Sequence, residues 1–80
     1  MAVKKGTLVQ ITWLDSVGVT SAWEFRDELD SLKCAKIKTV GFVEKWGKKR
    51  LTVAQSISKE QVLGRITIPR GCVVEVRKRS

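Results

Sequence analysis

The fold class is decided by the stretch Val62-Leu63-Gly64-Arg65-Ile66-Thr67-Ile68-Pro69-Arg70-Gly71-Cys72-Val73-Val74-Glu75-Val76. Apolar residues alternate with others on both sides of its Pro-Arg-Gly sequence, and period-two alternation is typical of strands with one buried face. A proline followed closely by a glycine is typical of a tight turn. The stretch therefore predicts two neighbouring strands joined by a turn at residues 69–71. In the second strand, Cys72, Val74 and Val76 are predicted to share one face.

Three earlier segments also predict strands, because they are rich in β-branched residues or alternate in the same way. They are Thr7 to Asp15, Ala35 to Trp46 and Arg50 to Ile57. Gly41 interrupts the long second segment, which predicts a bulge or a sharp bend there. The residues predicted to share an inward face are Val9, Ile11 and Trp13 in the first segment, and Leu51 and Val53 in the third.

The segment between the first two strands predicts a short helix, with an acidic loop as the alternative. Ser21-Ala22-Trp23-Glu24 fits a capping box, in which a Ser at the N-cap is followed three residues later by a Glu. An apolar stripe at helical spacing follows, formed by Ala22, Phe25, Leu29 and Leu32. Trp23 lies off this stripe, and we expect it to pack against the sheet.

The strand order predicts a mainly β protein of one small domain, residues 1–80, with residues 1–5 and 78–80 loose at its ends. Five short strands in so small a chain favour a closed or partly open barrel, because closure removes exposed sheet edges. The turn before the last strand resembles that of SH3-like barrels. A five-stranded SH3-like or Sm-like barrel is therefore the leading prediction, and an OB-type barrel is the second.

The charge of the chain is large and unevenly placed. Its 80 residues carry 16 Lys and Arg against 8 Asp and Glu, a net charge of +8. Residues 1–32 hold three basic and five acidic side chains, and residues 33–80 hold thirteen basic and three acidic ones, so these parts carry −2 and +10. Such a basic second half favours contact with an anionic partner.

The composition of the chain disfavours membrane, secreted, disulfide-bonded and zinc-binding proteins. No apolar run is long enough to cross a bilayer, and the N-terminus lacks the apolar region of a signal peptide, so we expect no membrane contact and a cytoplasmic location. The two cysteines, Cys34 and Cys72, lack CxxC spacing, and we expect both to be reduced and buried, with a disulfide between them as the alternative. With two Cys and no His, a zinc site has too few of its preferred ligands, and no cofactor is expected.

Catalytic residues are also scarce. The chain contains no His and no Tyr, which removes the commonest general base and one common acid. No GxSxG elbow and no phosphate-binding GxxxxGK[ST] loop occurs. The sequence therefore predicts a protein that binds and does not catalyse.

Basic residues of the second half are the first binding candidates. A hairpin holds Lys45, Trp46, Lys48, Lys49 and Arg50, an arrangement suited to neutralising phosphates while an aromatic ring stacks on a base. The alternative is that Trp46 folds onto the mouth of the barrel. Further basic side chains on the strands predict a patch, with edge protection as the alternative. They are Lys36, Lys38, Arg65, Arg70 and Arg77.

The acidic segment offers a second candidate surface. If Trp23 is exposed, it becomes a typical anchor for a protein interface, and Glu24, Asp27 and Glu28 lie beside it. Such a surface would suit a basic patch on a partner protein.

Four motifs resemble those of short uncharacterised accessory proteins encoded by tailed bacteriophages. They are Ile11-Thr12-Trp13-Leu14-Asp15, Thr39-Val40-Gly41-Phe42-Val43, Leu51-Thr52-Val53-Ala54-Gln55-Ser56 and Ile68-Pro69-Arg70-Gly71-Cys72-Val73. The resemblance covers most of the chain and implies an accessory protein that acts inside the infected cell. It implies no site residues.

The leading functional hypothesis is contact with nucleic acid through the basic half. The second is a protein–protein effector that binds a host enzyme, either through Trp23 and the acidic segment or through the basic hairpin against an acidic host surface. A minor virion or assembly component is the third. Self-association also stays open, because Sm-like barrels can form rings by pairing edge strands.

Overall fold

Five antiparallel strands form one sheet in the computed structural model, which describes residues 3–16, 23–27 and 34–79. The strands are β1 (Leu8–Asp15), β2 (Ala35–Trp46), β3 (Arg50–Ile57), β4 (Val62–Pro69) and β5 (Val73–Lys78). A 3-10 turn, Arg70–Cys72, joins β4 to β5. The mainly β class is confirmed, and the observed strands lie close to the predicted segments.

The sheet is curved but not closed into a barrel. Its strand order is β4-β3-β2-β1-β5, so β4 and β5 form the two edges. Pro69 and Val73 are four residues apart and therefore at most about 14 Å apart. Edge strands of a flat five-stranded sheet would be about 19 Å apart. The short 3-10 turn therefore requires the sheet to curl at this end, although no ladder joins the two edges.

The bend in the sheet occurs within β2, which belongs to two ladders in succession. Phe42 is paired with Leu8 of β1 and also with Ala54 of β3. At the preceding position, a Cβ atom on Gly41 would lie 2.9 Å from the carbonyl oxygen of Ala54 and 3.1 Å from Cβ of Val53. Glycine at residue 41 therefore permits a close approach of β3.

The irregularity in the β2–β3 ladder lies at Glu44, three residues beyond Gly41, where the sequence predicts a bulge or a sharp bend. Val43 pairs with Val53 and Lys45 pairs with Thr52, which leaves Glu44 as the extra residue. Because side chains alternate along a strand, one extra residue reverses the direction of those that follow. The bulge thereby turns Lys45 outward and directs Trp46 toward the core.

The core lies on the concave face and follows the predicted alternation closely. Val9, Ile11 and Leu51 are fully buried, and Val53 and Trp13 nearly so, which confirms the inward residues of β1 and β3. Val43 and Ile68 complete the buried cluster together with Val3. Ile37, Ile66 and Trp46 pack against it from the edges.

The last strand departs from the predicted alternation. The β1–β5 register shifts so that Thr12 pairs with Glu75 and Trp13 pairs with Val73, which leaves Val74 unpaired. Val74 is 57% exposed, whereas Val73 and Val76 pack against the core. The predicted shared face of Cys72, Val74 and Val76 is therefore wrong at Val74, because a bulge reverses the alternation there.

The described residues of the two predicted loose segments, 3–5 and 78–79, are attached to the sheet. Val3 belongs to the core, and Gly6 N donates to Val43 O at 2.7 Å, which extends the pairing of β1 with β2. At the other end, Lys78 lies within β5 and Arg79 N donates to Leu8 O at 2.8 Å. Residues 3–5 and 78–79 are consequently parts of the sheet assembly rather than loose tails.

The helix predicted between β1 and β2 falls mostly outside the described residues. Residues 17–22 and 28–33 are among those not described, and residues 23–25 form no regular secondary structure. Phe25, predicted for the buried stripe, is 76% exposed, and Trp23 is fully exposed. The expectation that Trp23 packs against the sheet is therefore wrong, because the exposed ring lies away from the apolar core.

Both cysteines are free thiols. Cys72 is half-buried against the core, but Cys34 is exposed, so its predicted burial is wrong. Cys34 directly precedes the first, solvent-exposed residues of β2, beyond the core. In the described part of the chain, no helix is long and apolar enough to cross a membrane.

Candidate functional site

One face of the β2–β3–β4 sheet gathers basic and hydroxyl side chains. Lys45 pairs with Thr52, and Thr52 pairs with Thr67, so these three side chains form a row on the face opposite the core. Arg50 and Arg65 each lie two residues before a threonine of this row and therefore point the same way. The face is basic because the Glu44 bulge brings Lys45 onto it.

These residues line a depression of about 400 Å³, which we call the central depression. Its lining is Glu44, Lys45, Arg50, Thr52, Val62, Arg65 and Thr67. Three cationic groups thus face one carboxylate, and a volume of this size lies within the range of ligand-binding sites. Ion pairs between described residues involve neither Lys45, Arg50 nor Arg65.

Two threonines form the floor of the central depression. The Oγ1 atoms of Thr52 and Thr67 are 2.9 Å apart and share a hydrogen bond. Thr52 is 8% exposed, whereas Thr67 is exposed. Since a hydroxyl group both donates and accepts, this pair can direct one hydroxyl hydrogen toward an anion above it.

A second depression of about 190 Å³ adjoins the first, and we call it the side depression. Both are lined by Glu44 and Val62, which places these two residues at the junction. The remaining lining residues are Lys5, Gly6, Ile57, Ser58, Lys59, Glu60 and Gln61. Lys5 Nζ lies 3.6 Å from a carboxylate oxygen of Glu44, so the negative charge at the junction is partly compensated.

The predicted platform residue Trp46 belongs to the core rather than to this face. Its ring packs against the buried cluster, and the guanidinium carbon of Arg70 lies 5.3 Å from the ring centroid. Arg70 also donates from Nε to Gly47 O at 2.9 Å and from its backbone N to Lys49 O at 2.8 Å. Arg70, which lies in the 3-10 turn, therefore links that turn to the turn between β2 and β3 by two hydrogen bonds.

The other predicted basic residues lie in two further places. Lys48 and Lys49 are exposed on the turn between β2 and β3. Lys36 and Lys38 are exposed on the first half of β2, before the bend, where Lys38 pairs with Thr12 and Thr12 pairs with Glu75. The predicted single patch is thus divided by the bend in β2.

Arg77 lies on β5 on the same outer face as Glu75. Arg77 Nε donates to Glu75 Oε1 at 2.9 Å, and both side chains are substantially exposed. This pairing reduces the net positive charge of the half of the sheet that carries Lys36 and Lys38.

The described part of the acidic segment is fully accessible. Trp23, Glu24 and Asp27 are exposed. Glu28, the remaining residue of that predicted surface, lies outside the described residues. An exposed tryptophan beside acidic groups is a chemically plausible anchor for a protein partner.

Sequence reasoning missed most residues of the two depressions, including Glu44, Val62 and four polar residues, Lys5, Thr52, Lys59 and Thr67. Thr52 and Thr67 carried a usable signal, because outward positions flanked by inward apolar residues are apparent from the alternation of β3 and β4. No sequence signal marked Lys5 and Lys59 as site residues. They are 54 positions apart in the sequence, and only the folded sheet brings both of them close to Glu44.

Comparison with known proteins adds no family assignment. No family model matches the chain, and neither curated proteins nor solved structures give a match.

Proposed function

We propose that this protein is a non-enzymatic binding module that contacts nucleic acid through the central depression. The supporting observation is the convergence of Lys45, Arg50 and Arg65 from three strands around the Thr52–Thr67 hydroxyl pair. Clustered cations repel one another, and a phosphate placed among them relieves that repulsion while accepting charge-assisted hydrogen bonds.

We also propose that the fold is related to small β-barrels and that the protein acts in an infected cell. The curled five-stranded sheet with a 3-10 turn before β5 is consistent with a partly open SH3-like or Sm-like barrel. With the sequence resemblance described above, this supports a phage-encoded accessory protein working in the cytoplasm of an infected cell.

Salt dependence is the first quantitative test. Three phosphate contacts predict that log K falls with log salt with a slope of about −2 on a single strand and about −2.7 on a duplex. Binding is measured by fluorescence anisotropy with labelled oligonucleotides of about 15 nucleotides. Absence of binding at low salt overturns the proposal.

The site itself is tested by a matched pair of charge variants. Lys45→Gln/Arg50→Gln/Arg65→Gln removes three charges from the central depression. Lys36→Gln/Lys38→Gln/Arg77→Gln removes the same number from the other half of the sheet. We expect the first variant to lose binding and most of the salt slope, and the second to retain both. If the two variants lose affinity equally, binding depends on the overall charge of the protein, and the central depression is not the binding site.

Full exposure of Trp23 favours a second candidate function, contact with a protein through the acidic segment. Its ring is available as an anchor, and Asp27 is exposed beside it. The test is affinity capture from a host lysate treated with nuclease. Loss of a captured protein on Trp23→Ala supports this function, whereas recovery of only nuclease-sensitive material contradicts it.

A further inference from the structure

The side depression differs in chemistry from the central one. Its walls include Ile57 and Val62, which are 42% and 43% exposed, and its two lysines, Lys5 and Lys59, are balanced by two carboxylates, Glu44 and Glu60. Ile57 and Val62 pair directly across the β3–β4 ladder, so their side chains lie next to each other. An accessible aliphatic surface therefore continues directly from the cationic one through their common residue, Val62.

Glu44 governs what can lie at the junction of the two depressions. Its side chain is 20% exposed, and its carboxylate is only partly compensated by Lys5 at 3.6 Å. A phosphate placed there would be repelled, whereas an uncharged group would not. The junction is thus suited to an apolar or planar part of a ligand whose phosphate lies in the central depression.

We propose that the two depressions together bind single-stranded rather than duplex nucleic acid, an inference that rests on the proposed function. One phosphate lies among Lys45, Arg50 and Arg65, and the adjacent base lies over Val62 and Ile57. In a duplex the base faces are stacked inside the helix and cannot reach aliphatic side chains. In a single strand they can, and such contact is tolerant of sequence.

The experiment compares three labelled probes of one mixed sequence: single-stranded DNA, the matching RNA and the DNA duplex. We expect either single strand to bind about tenfold more tightly than the duplex at equal salt, an advantage of about 1.4 kcal/mol. Comparison of the single-stranded DNA and RNA probes shows whether the protein prefers deoxyribose or ribose. A duplex that binds as tightly as both single strands overturns the inference.

A matched pair of variants tests the aliphatic contact. Ile57→Thr/Val62→Thr keeps both residues β-branched and removes no charge, whereas Val40→Thr/Val74→Thr makes a similar change at exposed valines outside both depressions. We expect the first variant to weaken single-strand binding about tenfold through lost apolar burial, with an unchanged salt slope. The second variant should bind like the wild type, and equal affinities for the two variants would overturn the inference.

Failure of the inference is distinguishable from failure of the proposed function. If none of the three probes binds at low salt, the proposed function fails and the inference fails with it. If binding depends on Lys45, Arg50 and Arg65 but is indifferent to strandedness and to Ile57→Thr/Val62→Thr, only the inference fails. Thermal unfolding followed by circular dichroism establishes that each variant is folded.

Discussion

Substitution of Gly41 by alanine tests the bend of β2 on which the candidate site depends. An added Cβ would lie 2.9 Å from Ala54 O, 3.1 Å from Val53 Cβ and 3.3 Å from Val53 Cγ2. None of these atoms can move easily, because one is backbone and Val53 is 1% exposed in the core. The strands must therefore separate by several tenths of an ångström.

We expect Gly41→Ala to lower the free energy of unfolding by about 1–3 kcal/mol, the typical cost of overpacking a well-packed core. For a domain of this size each kcal/mol shifts the melting temperature by about 4–8 °C. We therefore expect Gly41→Ala to melt about 10 °C below the wild type. Alanine also restricts the unfolded chain, which stabilises by about 0.4–1 kcal/mol and partly masks the strain.

Gly71→Ala is the matched control that measures this unfolded-state effect. Gly71 lies in the 3-10 turn, and a Cβ there meets nothing within 4 Å. It should leave stability unchanged or raise it by up to about 1 kcal/mol. Because both variants replace Gly by Ala, their difference in unfolding free energy cancels the unfolded-state effect and measures the strain at Gly41, and an unchanged m-value in urea shows that both unfold to a similar exposed surface. Melting temperatures within about 2 °C of each other would refute the close approach.

Two further predictions concern residues outside the central depression. Arg70→Lys keeps the charge but removes the Nε hydrogen bond to Gly47 O, so we expect a loss of about 1 kcal/mol in urea unfolding. Arg70→Ala also removes the contact with Trp46 and should cost about 1–2 kcal/mol, whereas stability equal to wild type would contradict a structural role. Trp23→Phe should remove most of the acrylamide-quenchable fluorescence, because Trp23 is fully exposed, Trp13 is 9% exposed and Trp46 is half-buried against the core. Unchanged quenching would show that Trp23 is covered.

Alternation of side chains predicted the regular part of the fold well. Period-two spacing alone predicts that four residues of β1 and β3 lie in the core, and all four are buried: Val9, Ile11, Leu51 and Val53. This succeeds because a one-residue slip would expose every apolar side chain of the strand, so the pattern and the register determine each other.

Bulges account for most of what the pattern missed. No residue type marks Glu44 or Val74 as an extra residue, because a bulge depends on how the partner strand is paired. Gly41, where the sequence predicts a bulge or a sharp bend, is not the bulge; its missing Cβ admits β3 beside the bend of β2. The sequence could therefore predict which residues form strands, but not where the alternation reverses.

The Glu44 bulge links the fold to the candidate site. Continuing the alternation from Val43 without it would direct Lys45 into the core and Trp46 outward, which would bury a charge and expose an aromatic ring. With it, Lys45 joins Arg50 and Arg65 outside, and Trp46 packs inside. The bulge thus separates Lys45 from Trp46. We therefore expect a base next to a phosphate in the central depression to contact Val62, and Ile57 beyond it in the side depression, in place of an aromatic ring. Weak aliphatic contact combined with several phosphate contacts favours affinity without sequence preference, which is the expected behaviour of a protein that binds single strands generally.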